Sequence, residues 1–494
     1  MSNRARPSVA THSIRYVIAN VLVMLAGFVS FPIMTRLLDT RQYGIFGYYD
    51  AWLMILLGIF KLGGQHTILR FYPHVGGEVA LPRYGANFVL APFLTACLLW
   101  LLALAVYLAI TYIAPPEAAD IGWFMLLLLP VNIWISYANA VAFATEHSEV
   151  SVRLSVGQRW LEAAMILGIV YFLLRNALGV YIGRLIIGLV FACISWIWVR
   201  RRVPTHLRDF DAKEFLRGLR YGLPLVVNEI AAISLAFVDR VMLRVMLNDF
   251  TAVGVYTIGY GLALNIATLL NTAILSAYTQ VSVREFETQG PAAVVRTKKV
   301  LLRVFIYLSV VFITGLFAVG GDALLLLAGN DKIASVPVFV LIGVNYVLDG
   351  IFKICSTGLL LHKRSTTVLT LTLGSLAMNI VLNLFWIPQF GLLGAVYATL
   401  ASYLALNLAQ YFFCPRDLRA LPSLHATCTA IGLGALTWSM AHYTNLFGVS
   451  SHLGRLAMMA LLTLVLYVGP AFALDRRLRE SVVGYWRTRR SLPN

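Results

Sequence analysis

Nine of the ionisable residues within, or at the ends of, long apolar segments of this 494-residue sequence stand out as candidates for chemistry. Four are basic, Arg70, Arg184, Arg240 and Lys353, and five are acidic, Asp50, Glu162, Glu229, Asp239 and Asp349. A charge in hydrocarbon is costly, so such residues face a cavity, pair with one another or mark a transport pathway. The basic set suits anion binding, because a guanidinium offers phosphate or carboxylate oxygens two parallel charge-assisted hydrogen bonds. Arg70, Arg184, Arg240 and Lys353 are therefore the candidate substrate ligands of a cationic cavity. A desolvated carboxyl takes up a proton or Na⁺, which makes Asp50, Glu162, Glu229 and Asp349 the ion-coupling candidates.

Each candidate has a plainer alternative. Asp349 and Lys353 are spaced i, i+4 and can neutralise each other on one helix face. Arg70 and Lys61 lie near an inner interface, where long side chains snorkel to water. Arg455 reads as structural. Arg184 has no acid one turn away, and Glu162 and Glu229 are read as having no base there, so all three must pair across helices or reach water. Asn20, Asn132, Asn228, Asn265, Asn271, Asn379 and Asn383 also lie at depth. Such amides bind neighbouring helices together or hydrogen-bond sugar hydroxyls.

The elements that must position these residues are transmembrane helices. Sixty per cent of the chain is hydrophobic, only 12% is charged, and the mean hydropathy is +0.79. A soluble chain carries about 25% charge. Fourteen segments reach the roughly 20 apolar residues that a bilayer crossing requires. They run over 14–37, 43–63, 85–113, 121–144, 155–174, 177–199, 220–246, 252–280, 301–319, 334–361, 366–387, 391–413, 424–442 and 453–474. The first is too long for a signal peptide and lacks a small-residue cleavage site. Pro32, Pro130, Pro224 and Pro337 mark expected kinks.

Lys plus Arg 39 against Asp plus Glu 22 gives a net charge of +17. These basic residues flank apolar segments, the way a bilayer sorts charge, and do not indicate nucleic acid. With the N-terminus inside, thirty of the 39 fall in inner segments, five in outer loops and four within spans, which places both termini in the cytoplasm. Arg200-Arg201-Arg202 and the Arg476–Arg490 cluster read as topology anchors on an anionic leaflet.

Internal similarity points to a duplication. Leu37–Tyr49 resembles Met246–Gly259 with Gly44 opposite Gly254, an offset of 210. "AMILGIVYF" from Ala164 matches "AMNIVLNLF" from Ala377 at 213, and Gly179 matches Gly394 at 215. Six spans per copy give both copies the same direction across the membrane, hence parallel repeats about an axis along the membrane normal. The expected organisation is an all-α polytopic protein: an N-lobe over 1–203 with spans one to six, a C-lobe over 204–415 with spans seven to twelve, and 416–494 with spans thirteen and fourteen and a basic cytoplasmic tail. "RDFDAKEFLRGLRYG" between the lobes reads as an amphipathic helix on the membrane surface.

No Gly-Lys dipeptide occurs, so no phosphate-cradling loop for ATP exists, and no HExxH or paired metal-ligand motif appears. The five cysteines form no CxxC pair. No loop is long enough for a soluble catalytic domain, so neither an enzyme nor a metal or organic cofactor is expected. Energy must come from an ion gradient or from the cargo's own.

"FPIMTRLLDTRQYGIFGYYDAW" (Phe31–Trp52), "GGQHTILRFYP" (Gly63–Pro73) and "FVDRVML" with "VGVYTIGYGLA" (Phe237–Ala263) resemble the polysaccharide-exporter branch of the multidrug/oligosaccharidyl-lipid/polysaccharide superfamily. These are the Wzx-type flippases of O-antigen and capsule assembly. The resemblance implies fourteen helices in a 6 + 6 + 2 order, and flipping of an undecaprenyl-pyrophosphate-linked oligosaccharide across the bacterial inner membrane by alternating access. It further implies membrane lipid as a partner, H⁺ or Na⁺ as coupling ion, and a polysaccharide polymerase and chain-length proteins as associates. Arg70-Phe71-Tyr72 and Asp239-Arg240 match its recurring features. The competing readings are a multidrug exporter of the same superfamily, a membrane-embedded polymerase or glycosyltransferase, and a scaffold without transport of its own.

Overall fold

The computed structural model describes residues 9–73, 77–443 and 448–480. Among them every regular element is helical. The chain packs as two units divided after Gly254.

The first unit holds α1 (Val9–Leu37), α2 (Thr40–Phe60), the short α3 (Gly64–Arg70), α4 (Gly77–Tyr84), α5 (Ala91–Ile113), α6 (Ala119–Ala144), α7 (Ser148–Phe172), α8 (Ala177–Arg200) and α9 (Ala212–Leu247). A π-helical turn over Gly85–Leu90 joins α4 to α5. The second unit continues α10 (Phe250–Gln289) and adds α11 (Pro291–Ala328), α12 (Val336–Ser356), the one-turn α13 (Gly358–Leu361), α14 (Ser365–Phe390), α15 (Leu392–Phe413), α16 (Leu424–Tyr443), α17 (His452–Leu462) and α18 (Gly469–Leu474). All fourteen segments expected to cross the membrane fall on helices, and among the described residues ten helical stretches are both long and apolar enough to do so. Leu98, Leu102, Tyr112 and Ile113 on α5, and Leu384 and Phe385 on α14, point outward. Bare apolar faces on this scale need lipid to cover them.

Local chemistry sets the helix starts. Asp39 caps α2 by accepting the Gln42 N–H at 2.7 Å, and Asn176 caps α8 by accepting the Gly179 N–H at 3.1 Å. Gln42 Oε1 also accepts the Ala177 N–H at 2.9 Å, which fixes the first turn of α8 against the first turn of α2. That one bond sets the register of the two helices that carry the site. The buried Asn87 donates to the carbonyls of Arg83 and Asp209 and accepts from the Asp211 N–H, tying the segment before α9 to the π-helical turn.

Two expectations change. The surface segment before span seven is not a separate helix: it forms the first turns of a continuous 36-residue α9 that runs through Pro224. At 1.5 Å per residue α9 is about 54 Å long, well beyond the roughly 30 Å hydrocarbon core, so its polar start extends past the membrane. Pro337 does not kink its helix, because it lies in the first turn of α12, where a missing N–H costs nothing. The side chains of Asn20 and Asn271 and half of the C-terminal basic cluster, Arg487, Arg489 and Arg490, lie outside the described residues.

The duplication has a structural counterpart inside the first unit. A Cβ on Gly44 would sit 1.7 Å from the Phe250 carbonyl oxygen, and one on Gly254 would sit 1.8 Å from that of Thr40. Thr40 and Phe250 are separated by the same 210 residues as the two glycines. A contact in which i meets j while the equivalent of j meets the equivalent of i is the mark of a two-fold relation.

Candidate functional site

Three ionisable candidates of the first unit gather from three helices, Asp50 from α2, Glu162 from α7 and Arg184 from α8. α7 and α8 approach closely because Gly183 presents only backbone to Ile166, where a Cβ would come within 3.0 Å. On α2, Phe46 and Asp50 are one turn apart and face α8, where Tyr181 and Arg184 occupy neighbouring turns. The Tyr181 hydroxyl donates to the Phe46 carbonyl at 3.3 Å.

Arg184 is the hub. Its Nη1 donates to Asp50 Oδ1 at 2.6 Å, and its Nε lies 3.4 Å from Glu162 Oε1. The guanidinium stacks over Phe46 at 5.0 Å and over Tyr181 at 5.9 Å. Arg184, Asp50 and Glu162 are 17%, 18% and 12% exposed, so the cluster is largely but not fully buried. Cross-helix pairing is the outcome expected for Arg184. For Glu162 the expectation needs correcting. Arg159 stands three residues earlier on α7, 3.7 Å from the carboxylate, so Glu162 does have a base one turn away. Although Glu162 is close, Arg184 Nε makes no hydrogen bond. The guanidinium thus uses only part of its donor set.

A second group forms where α2 ends. Leu62 and Gly63 adopt positive φ, and Gly63 lies against the Gly222 backbone of α9, which turns α3 toward that helix. Glu229 on α9 accepts from Gln65 Nε2 at 2.6 Å, with Lys61 Nζ at 3.4 Å and His66 Nε2 at 3.6 Å. Sequence spacing singles out neither Gln65 nor His66. The signal is the Gly63-Gly64 break, which ends one helix and starts another within reach of α9.

The remaining candidates are dispersed. Asp239 and Arg240 on α9 are buried; Arg240 donates to the Ala236 carbonyl at 2.8 Å and stacks on Phe237. Arg70 is exposed at the end of α3. In the second unit Lys353 and Asp349 pair at 2.6 Å across one turn of α12, with Lys353 55% exposed. Arg455 bonds the Val449 carbonyl and lies 3.5 Å from Asp322, which also holds His452, in keeping with a structural role. A cavity of about 260 Å³ in this unit is lined by residues that include Asn345, Trp386, Tyr397 and Asn407, and no candidate residue borders it. Among the described residues no cluster of metal-ligating side chains occurs.

No curated protein matches the sequence. Solved structures do. A lipid II flippase MurJ in an inward closed conformation matches at TM-score 0.70 and 12% identity, over 92% of this chain and 98% of that one. An inward-facing MATE-family multidrug transporter of the MOP superfamily matches at 0.58 and 14%, over 88% and 99%. The MATE transporter DinF-BH in complex with R6G matches at 0.58 and 16%, over 83% and 99%. At such identities the likeness concerns the fold, which is that of the multidrug/oligosaccharidyl-lipid/polysaccharide superfamily. Residues 9–279 match the family model described as polysaccharide biosynthesis protein, more than half of the chain, and the protein belongs to that family.

Proposed function

We propose that this protein is a flippase that carries an undecaprenyl-pyrophosphate-linked oligosaccharide repeat unit from the inner to the outer leaflet of the bacterial inner membrane. Both termini then lie in the cytoplasm. A diphosphate and a row of sugar hydroxyls cannot enter hydrocarbon without replacing their lost hydration. The observation that carries the reading is the half-buried Asp50–Arg184–Glu162 cluster within the apolar helices of a polysaccharide biosynthesis protein. Arg184 is the principal cargo ligand, with Arg70, Arg240 and Lys353 as further cationic contacts. Asp50 and Glu162 are the coupling carboxylates, with Glu229 and Asp349 as secondary candidates. The prenyl tail stays in lipid while the two repeats rock about the bound head group.

A deletion strain tests the reading. A flippase leaves lipid-linked oligosaccharide accumulating on the inner leaflet, whereas a polymerase leaves unpolymerised units outside. Normal polymer together with lost efflux of cationic dyes identifies a drug exporter.

A further inference from the structure

Arg184 is not a vacant anion site: two carboxylates of the chain already occupy it. We propose that Asp50 and Glu162 are built-in stand-ins for the cargo's diphosphate, and that loading exchanges them for it with uptake of one proton. This rests on the flippase reading and specifies how its site is gated.

The geometry favours exchange over a permanent lock. One carboxylate is hydrogen-bonded to Nη1 at 2.6 Å, while the other lies 3.4 Å from an Nε that makes no hydrogen bond. A diphosphate offers several charged oxygens in the planar, bidentate pattern that a guanidinium prefers, which two carboxylates on separate helices do not match. Stacking over Phe46 and Tyr181 holds the guanidinium plane in place while its partners change. When Arg184 turns to the diphosphate, Asp50 loses its hydrogen-bonded cation, while Glu162 keeps Arg159 at 3.7 Å. Asp50 is then a largely buried carboxyl with no cation beside it, so it takes a proton from water. On unloading, the carboxylates return to the guanidinium and the proton leaves.

The other ionisable groups around the cluster are few. Tyr43 and Tyr49 lie on α2, Tyr181 on α8, Arg159 beside Glu162 on α7, and Arg240 on α9 within electrostatic reach of Tyr43. The described part of α1, which packs on α7, brings Arg36, and α6 brings Asp120 and Tyr137. Apart from Asp50 and Glu162, the carboxyls in this set are Asp239, next to Arg240 on α9, which packs on α2, and Asp120 in the first turn of α6.

The test is binding of inorganic pyrophosphate to the purified full-length protein in nanodiscs, by calorimetry at pH 6 and pH 8. Wild type is expected to bind several-fold tighter at pH 6. Asp50→Asn/Glu162→Gln should bind at least tenfold tighter than wild type at pH 8, an advantage that shrinks several-fold at pH 6; the comparison at each pH cancels the ligand's own titration. Arg184→Gln should lose binding at both pH values while eluting as a folded protein. Binding by the double variant that is unchanged or weaker, or whose advantage over wild type is the same at both pH values, overturns the proposal, as does retained binding in Arg184→Gln. Should Arg184→Gln not fold, Arg184→Lys replaces it, with an expected loss of at least tenfold, and unchanged affinity there overturns the exchange. Failure of the flippase reading is scored separately, by the lipid intermediate in the deletion strain.

Discussion

The two copies of the repeat solve one packing problem with different chemistry. At the offsets of 210, 213 and 215 residues, Asp50, Glu162 and Arg184 of the first copy stand opposite Tyr260, Ser375 and Thr399 of the second. The second set is buried and neutral. The Thr399 and Tyr256 hydroxyls lie 3.3 Å apart, Tyr346 donates to the Tyr260 hydroxyl at 2.9 Å, and Ser375 donates to the Ser402 carbonyl at 2.8 Å. Hydroxyls therefore suffice to join α10, α14 and α15, and the corresponding helices α2, α7 and α8 do not need charges for packing. Replacing a buried ion pair by neutral groups of similar size is often neutral for stability or better. Charges kept where hydroxyls would serve are what the proposed flippase cycle needs, and on that proposal the ionic step belongs to the first copy.

The largest expected effect comes from breaking the first cluster unevenly. Arg184→Ala leaves Asp50 and Glu162 partly buried around a lost cation, which should destabilise the protein by about 3 kcal/mol and abolish surface polysaccharide. Asp50→Asn/Glu162→Gln/Arg184→Gln imitates the neutral second copy. Its thermal midpoint should return to within a few degrees of wild type while transport stays absent. A triple variant as unstable as Arg184→Ala would mean that the charges do hold the fold, and the contrast between the copies would fail. Arg240→Ala, which removes a guanidinium bonded to its own helix, should lower surface polysaccharide with membrane insertion intact.

Next in size is the glycine contact that relates the copies. Gly44→Ala and Gly254→Ala each push a methyl group into a backbone carbonyl, and overpacking of this kind costs about 1–3 kcal/mol. Reciprocity requires the two losses in thermal stability to be nearly equal. A large loss at one glycine and none at the other would break the symmetry. By comparison Glu229→Gln keeps the Gln65 hydrogen bond and removes one charge near Lys61 and His66, so stability should change by about 1 kcal/mol. Its readout is the pH and Na⁺ dependence of transport in vesicles, and an unaltered dependence would exclude Glu229 from coupling.

Much of this architecture is legible in the residues, because lipid leaves a chain few options. The apolar runs mark helices, and Gly44 with Gly254 reveals the duplication before any contact is known. What sequence spacing cannot supply is which face of one helix meets another. That Arg184 must pair across helices or reach water follows from its isolation on α8, yet Asp50 becomes its partner only through the α2–α8 register that Gln42 helps to set, and Glu162 through the packing of α7 on α8. The neighbours of Glu229 are hidden for a different reason: they sit beyond a chain reversal at Leu62-Gly63 that no helical period describes.

The smallest effect belongs to the pair that spacing did foresee. Lys353 and Asp349 close one helical turn of α12 with the lysine half in the open and the aspartate buried, so removing the lysine alone would leave a buried carboxylate without its partner. Lys353→Met/Asp349→Asn removes both charges together and should leave the melting temperature unchanged within about 2 °C. That near-silence makes transport the informative measurement. With stability held constant, a fall in polysaccharide export assigns the Lys353–Asp349 pair to the transport path and brings a cation of the second copy into play. Unchanged export leaves Lys353 as a local neutraliser of Asp349, and the ionic work stays with the first copy.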